Sequence, residues 1–292
     1  MKKLIVSLVI IVSISIFSGA GAAWAQDQDQ DRDDNARRNS CSNLPSWDDL
    51  KAALTAARKE TNNGGLNTDM WGTIVDRDGV VCAVAFTGTD RGSQWPGSRV
   101  ISAQKANTAN SFSLPGLALS TANLYTATQP GGSLFGLQLS NPVSTDIAYR
   151  GNPANYGQKN DGMVGGRIGG INVFGGGLGL YNSAHQLIGG IGVSGDTSCA
   201  DHNIAYKTRH TLLLDYVPAG VAGNNGDTAH KDNAIFDITP QGGGDLNAGG
   251  GQMPGVSTSM PAFGFGHPSC HGYNLNGNAT DTGLAAGLPA NR

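Results

Sequence analysis

The chain has 292 residues, enough to bury one sizeable core and too few for more than about two average domains. Glycine supplies 44 of them, Lys and Arg only 19, Asp and Glu 22, and the formal net charge is -3. No three-residue glycine period runs through it, which excludes a collagen helix. The scarcity of basic residues argues against nucleic-acid partners and anionic membrane surfaces.

Lys2 and Lys3 precede an apolar run from Leu4 to Phe17, followed by Ala23-Trp24-Ala25. This is the charged, apolar, small-x-small order of a secretory signal peptide, so residues 1–25 are expected to be removed after Ala25. The run is shorter than the roughly 20 residues that a bilayer-spanning helix needs, which argues against stable membrane insertion. A periplasmic or extracellular protein is expected. Losing Lys2 and Lys3 leaves 17 basic against 22 acidic residues, a charge of -5. Residues 26–40 carry no large apolar side chain and are expected to form a disordered acidic leader. Cys41, Cys82, Cys199 and Cys270 then fall in an oxidising compartment. Two disulfides are expected from three possible connectivities, and locality favours Cys41 with Cys82 and Cys199 with Cys270.

Ser46 and Asp49 form a capping-box pattern ahead of a helix that should stop at Asn62-Asn63-Gly64-Gly65. Met70–Val75 and Val80–Phe86 flank Asp78-Gly79 and read as a hairpin. The loop with Asp90, Arg91 and Trp95 leads to a predicted helix over Ser98–Phe112 and a second, shorter one over Leu117–Ala127. Residues 165–195 are glycine-rich and read as strands with glycine on one side, where a helix or ligand approaches the bare sheet backbone. Asn182–His185 is expected to be a turn, with His185 at its tip. Ser198 and Asp201 suggest a second capping box opening a helix that runs to Asp215. After Pro218 periodicity disappears, and 13 of the last 52 residues are glycine. The expectation is a single α+β domain over residues 41–216, an antiparallel β-sheet flanked by helices. A Gly/Pro-rich C-terminal extension over 217–292, tethered by a disulfide, would follow.

Nucleophile-elbow, P-loop and paired-glutamate patterns are absent; Glu60 is the only Glu. The motifs neither require nor exclude catalysis. Histidines carry the sharpest local pattern. His202, Tyr206 and His210 share one helical face, and imidazole there suits haem iron or a metal. His267 and His271 flank Cys270, so a Cys199–Cys270 bond would draw them toward His202 as a metal-ligating cluster. The competing reading is a disulfide-pinned loop with incidental histidines.

Two stretches carry a family resemblance: SRVISAQKANTANSF from Ser98, and GGGLGLYNSAHQLIGGIGVSGDTSCADHNIA from Gly175. They resemble the GlcG/HbpS haem-binding-type family, also called DUF336 and related to the C-terminal domain of PduO-type proteins. The resemblance spans about residues 46–215. It implies an α+β fold, homo-oligomeric assembly and non-covalent haem or tetrapyrrole binding, with Lys105 and Thr108 as pocket residues beside the His202, His267 and His271 set. The implied function is secreted haem scavenging, sensing or protection. The alternatives are a non-haem oligomeric interaction module and an oxidoreductase-type subunit using the same pocket.

Overall fold

Helix α1 spans Trp47–Lys59, and both halves of its capping box form. The Asp49 amide donates to the Ser46 hydroxyl, and the Ser46 amide donates to the Asp49 carboxylate at 3.0 Å. The structure is a computed structural model that describes residues 41–60, 62–224, 227–238, 264–268, 272–273, 279–280 and 288–292. The expected signal peptide (1–25) and leader (26–40), together with Cys270 and His271, lie outside the described residues.

Strands β1 (Trp71–Asp76), β2 (Val81–Phe86), β3 (Gly177–Tyr181) and β4 (Leu187–Ser194) form one antiparallel sheet in the order β2-β1-β4-β3. The expected hairpin joins β1 to β2. The Asp76 carboxylate accepts from the amides of Asp78 at 2.9 Å and Val80 at 2.8 Å, and Gly79 takes a left-handed φ of 78° that closes the turn. The Asn182–His185 turn joins β3 to β4, with His185 also left-handed and its Nδ1 bonded to the Tyr216 carbonyl at 2.9 Å.

Side-chain alternation along β4 decides how the layers stack. Ile191 and Val193 share a buried cluster with Leu50 and Leu54 of α1, and with Ile204 and Ala205 of α3 (Ser198–Thr211). Gly190 and Gly192 face the other way, toward α2 (Ser98–Phe112). A Cβ on Gly192 would sit 1.9 Å from the Ser102 carbonyl oxygen, and one on Gly190 would sit 2.4 Å from that of Ala106. A Cβ on Gly177 in β3 would lie 2.6 Å from the Lys105 carbonyl. Helix backbone therefore lies directly on sheet backbone. The covering element that the glycine pattern calls for is a helix of the chain itself, and the small Ser, Ala, Asn and Thr residues of α2 permit the approach. Ser102 and Thr73 join hydroxyls across the contact at 2.7 Å.

Three sequence expectations change. The helix expected over Leu117–Ala127 forms only at Leu124–Thr128. Upstream, the Ala118 amide donates to Ala219 and that of Thr121 to Gly177, tertiary bonds that a helix would forgo. The strand expected from Gly165 begins only at Gly177, because Gly165, Gly169, Gly170 and Gly176 all have positive φ. Helix α3 stops at Thr211 rather than Asp215, where Leu213 turns left-handed at φ 59°.

The Cys41–Cys82 disulfide is present, with Cα atoms 5.6 Å apart. Cys199 is also disulfide-bonded. The buried core extends past residue 216: Val217, Val221 and Ala222 are buried, and Asp232 forms a fully buried ion pair with Arg209 at 2.5 Å.

Gly192→Ala is expected to cost about 3 kcal/mol, because neither the Ser102 carbonyl nor the sheet can yield cheaply. Gly116→Ala, with open space at its Cβ position, should shift stability by less than about 1 kcal/mol. Urea denaturation of the two variants measures the difference.

Candidate functional site

The chemistry-bearing side chains gather where β3 begins and β4 ends. Lys105 reaches out of α2 and Asp201 out of the first turn of α3, and they meet at 2.7 Å with both side chains buried. The Lys105 ammonium also donates to the Val193 carbonyl at 3.1 Å. The other Asp201 oxygen accepts from the Asp196 amide at 2.9 Å. Gly176, at φ 114°, passes over the pair, and a Cβ there would lie 3.2 Å from the Lys105 Nζ. Burial pushes the Asp201 carboxyl up to about 6 against the pull of Lys105.

Thr108 sits on the same helix and is saturated internally. Its hydroxyl donates to the Gln104 carbonyl at 2.7 Å and accepts from the Asn172 amide at 3.0 Å. Both α2 residues singled out from sequence are thus buried connectors between layers.

The two described histidines of the expected cluster do converge. His267, on a two-residue strand with Pro268, bonds through Nε2 to the Ser198 hydroxyl at 2.7 Å and through Nδ1 to the Pro268 carbonyl at 2.7 Å. That carbonyl only accepts, so Nδ1 carries the proton and Nε2 receives the Ser198 hydroxyl proton. Ser198 stands one helical turn before His202. His202 bonds through Nε2 to Asn233 at 3.1 Å, and its Nδ1 is buried without a hydrogen-bond partner. Burial pushes both imidazoles down to about 4, and each ring is neutral at pH 7.

The helix start accounts for the partner that sequence reading missed. Thr197, not Ser198, is the N-cap: its hydroxyl accepts from the Ala200 amide at 3.3 Å. The expected Ser198/Asp201 box therefore does not form, and Ser198 is released to bind His267 and the Gly175 amide, the latter at 2.6 Å. The signal was present as Thr197-Ser198, two capping residues in a row. His210, on the same face as His202, pairs instead with buried Asp215 at 2.7 Å. Asp90 organises its own loop, accepting from the Gly92 amide at 2.7 Å.

Aromatic side chains border His267. The Tyr125 ring is 5.6 Å from its imidazole and 6.4 Å from Phe174, which is 44% exposed. Among the described residues, a group of three possible metal ligands lies elsewhere, at Cys41, Asp76 and Cys82.

The model of the family "Haem degrading protein HbpS-like" matches residues 46–209, more than half of the chain. The chain belongs to the HbpS-like family. The match contains strands β1–β4, helices α1 and α2 and α3 up to Arg209, with Lys105, Ser198 and His202, and ends before His267. Among solved structures, the Klebsiella pneumoniae protein ORFY, a DUF336 protein, is 27% identical, with a TM-score of 0.39, over 56% of this chain and 86% of that one. A PduOC–haem complex is 21% identical with a TM-score of 0.39, over 56% and 88% of the two chains. HbpS is 17% identical with a TM-score of 0.36, over 59% and 92%. The comparison with curated proteins returns no match.

Two outcomes follow from the site's burial. Lys105→Met is expected to cost about 3 kcal/mol at pH 7, because it leaves Asp201 buried without its counter-charge. Between pH 4 and 6.5 the unfolded chain protonates both histidines while the folded one does not, so stability falls as pH drops through that window. Asp201 acts oppositely between about 4 and 6, offsetting one of the two protons. A lower urea midpoint at pH 4.5 than at pH 7, with the difference reversed in His202→Gln/His267→Gln where the Asp201 contribution is left unopposed, is the expected result. A midpoint independent of pH would contradict it.

Proposed function

We propose that this HbpS-like protein binds haem non-covalently on the face formed by His267, Ser198, Tyr125 and Phe174. The observation that carries this reading is the family match over residues 46–209. The residues present fit a tetrapyrrole provided that iron takes His267 Nε2 in place of the Ser198 hydroxyl: a neutral imidazole is the form that ligates iron, and exposed Phe174 beside Tyr125 suits a flat apolar ring. When bound, haem would supply iron chemistry at this face. The chain's part is to keep the His267 ring neutral and to orient it through Nδ1 and the Pro268 carbonyl, with Ser198 holding the Nε2 position that iron would take. His202 lies behind it with a buried unpartnered Nδ1, a second imidazole in the same histidine set, and His271 belongs to that set by sequence. Lys105 and Thr108 serve this face from beneath as internal ties, Lys105 joining α2 to Asp201 beside Gly176 and Thr108 joining it to Asn172.

Export is part of the proposal. Lys2-Lys3, the Leu4–Phe17 run and Ala23-Trp24-Ala25 support it, as does the Cys41–Cys82 disulfide. No described helix is long and apolar enough to cross a membrane. Scavenging, sensing or protection from free haem is the role such a protein would play. Self-association is proposed with it, on exposed Phe135 and Leu139.

Haemin titration of the purified protein tests the reading. A Soret shift saturating near one equivalent is expected, retained in Thr108→Val and weakened at least tenfold in His267→Ala. The absence of any saturable shift in the unaltered protein would end the haem proposal.

A further inference from the structure

Asp76 has a loose end. Its Oδ1 closes the β1–β2 turn by accepting the Asp78 and Val80 amides, but its Oδ2 is buried without a hydrogen-bond partner, and the residue is only 2% exposed. A buried carboxylate oxygen left unmatched is costly and calls for a positive partner. The Asp76 carboxylate lies by the two sulfurs of the Cys41–Cys82 disulfide: one ligand atom from each of the three residues lies within 4.8 Å of the others.

The hairpin builds this arrangement. Ile74 pairs with Ala83 and Val75 with Val81, so Cys82 is the extra residue of a β-bulge, the device by which a strand re-aims one side chain. Both cysteines are partly exposed, which leaves the disulfide open to a reductant. Two thiolates and a carboxylate are a borderline-soft set typical of zinc, with the fourth position left to water.

We infer that reduction of the Cys41–Cys82 disulfide converts it, together with Asp76, into a binding site for a zinc-class divalent cation. A dithiol reductant gives two electrons and two protons to the sulfurs and becomes a disulfide itself. The cation then displaces the two thiol protons and takes an Asp76 oxygen as its third protein ligand. Metal–sulfur bonds of ~2.3 Å need the sulfurs to part to roughly 3.7 Å, within reach of side-chain rotation at the 5.6 Å Cα separation. The metal would replace the covalent tether between the N-terminal segment and the sheet edge. This inference is independent of the haem reading, and its test uses no haemin.

The full chain is reduced with a phosphine, freed of reductant without air and titrated with Cd²⁺, whose thiolate charge-transfer absorption reports binding. One equivalent should bind the reduced chain and none the oxidised chain. Because Cys199 is disulfide-bonded too, and its bond would be reduced as well, every titration is made in a Cys199→Ser/Cys270→Ser background, which should keep the site, whereas adding Cys82→Ser should abolish it. Asp76→Asn retains the oxygen that closes the turn and both thiols, and should weaken binding at least tenfold. Failure of the reduced chain to bind, equal binding by oxidised protein, survival of the signal in Cys82→Ser, or unchanged affinity in Asp76→Asn would each overturn the inference. Circular dichroism of each variant separates loss of ligand from loss of fold.

Discussion

The structure depends on one close approach, the backbone of helix α2 against the bare backbone of β3 and β4. Gly177, Gly190 and Gly192 leave no room for a methyl group, so the helix axis is drawn in to a depth that ordinary side chains forbid. That depth brings Lys105 within reach of Asp201 around the end of the sheet. It also sets Gly175 and Gly176 against the first turn of α3, where Ser198 and His202 sit. Glycine in strands costs conformational entropy, and here the packing of an entire helix offsets it.

A chain with few charged residues buries three ion pairs among its described residues: Arg99–Asp161, Lys105–Asp201 and Arg209–Asp232. Each starts on α2 or α3 and ends on a different segment. Such pairs are weak sources of net stability, since desolvation consumes much of their attraction, but mismatched neighbours are penalised heavily. Arg209 with Asp232, and His202 with Asn233, fasten residues beyond Val217 onto the domain and help to complete the histidine face.

Much of the fold was legible because its signals are local. The Ser46 capping box, the Asp78-Gly79 hairpin, the Ser98–Phe112 helix and the β4 glycine alternation each depend on residues a few positions apart. The misread segments are those where distant partners override local preference. The stretch from Leu117 to Asn123 forgoes a helix to bond Gly177 and Ala219, and the Gly165–Gly176 stretch is bent by left-handed glycines. At the site, the convergence of His202 and His267 was anticipated, but Ser198 was taken for a cap that Thr197 provides. Lys105 and Thr108 were read as pocket residues on the family resemblance, and the structure engages both with interior partners, Asp201, Gln104 and Asn172.

Periodicity, capping and turn chemistry act over short distances, so the class of fold and the order of its main elements were readable along the chain, and two motif-bearing stretches carried the family; of three possible cysteine connectivities the sequence only favoured Cys41 with Cys82, which the structure forms. Tertiary structure alone decided which side chains remain available. Burial depressed the protonation of two histidines, engaged Lys105 and Thr108 in the interior, and left one oxygen of Asp76 unmatched beside a disulfide. Desolvation and close packing are properties of the assembled layers, and no spacing along the chain encodes them residue by residue.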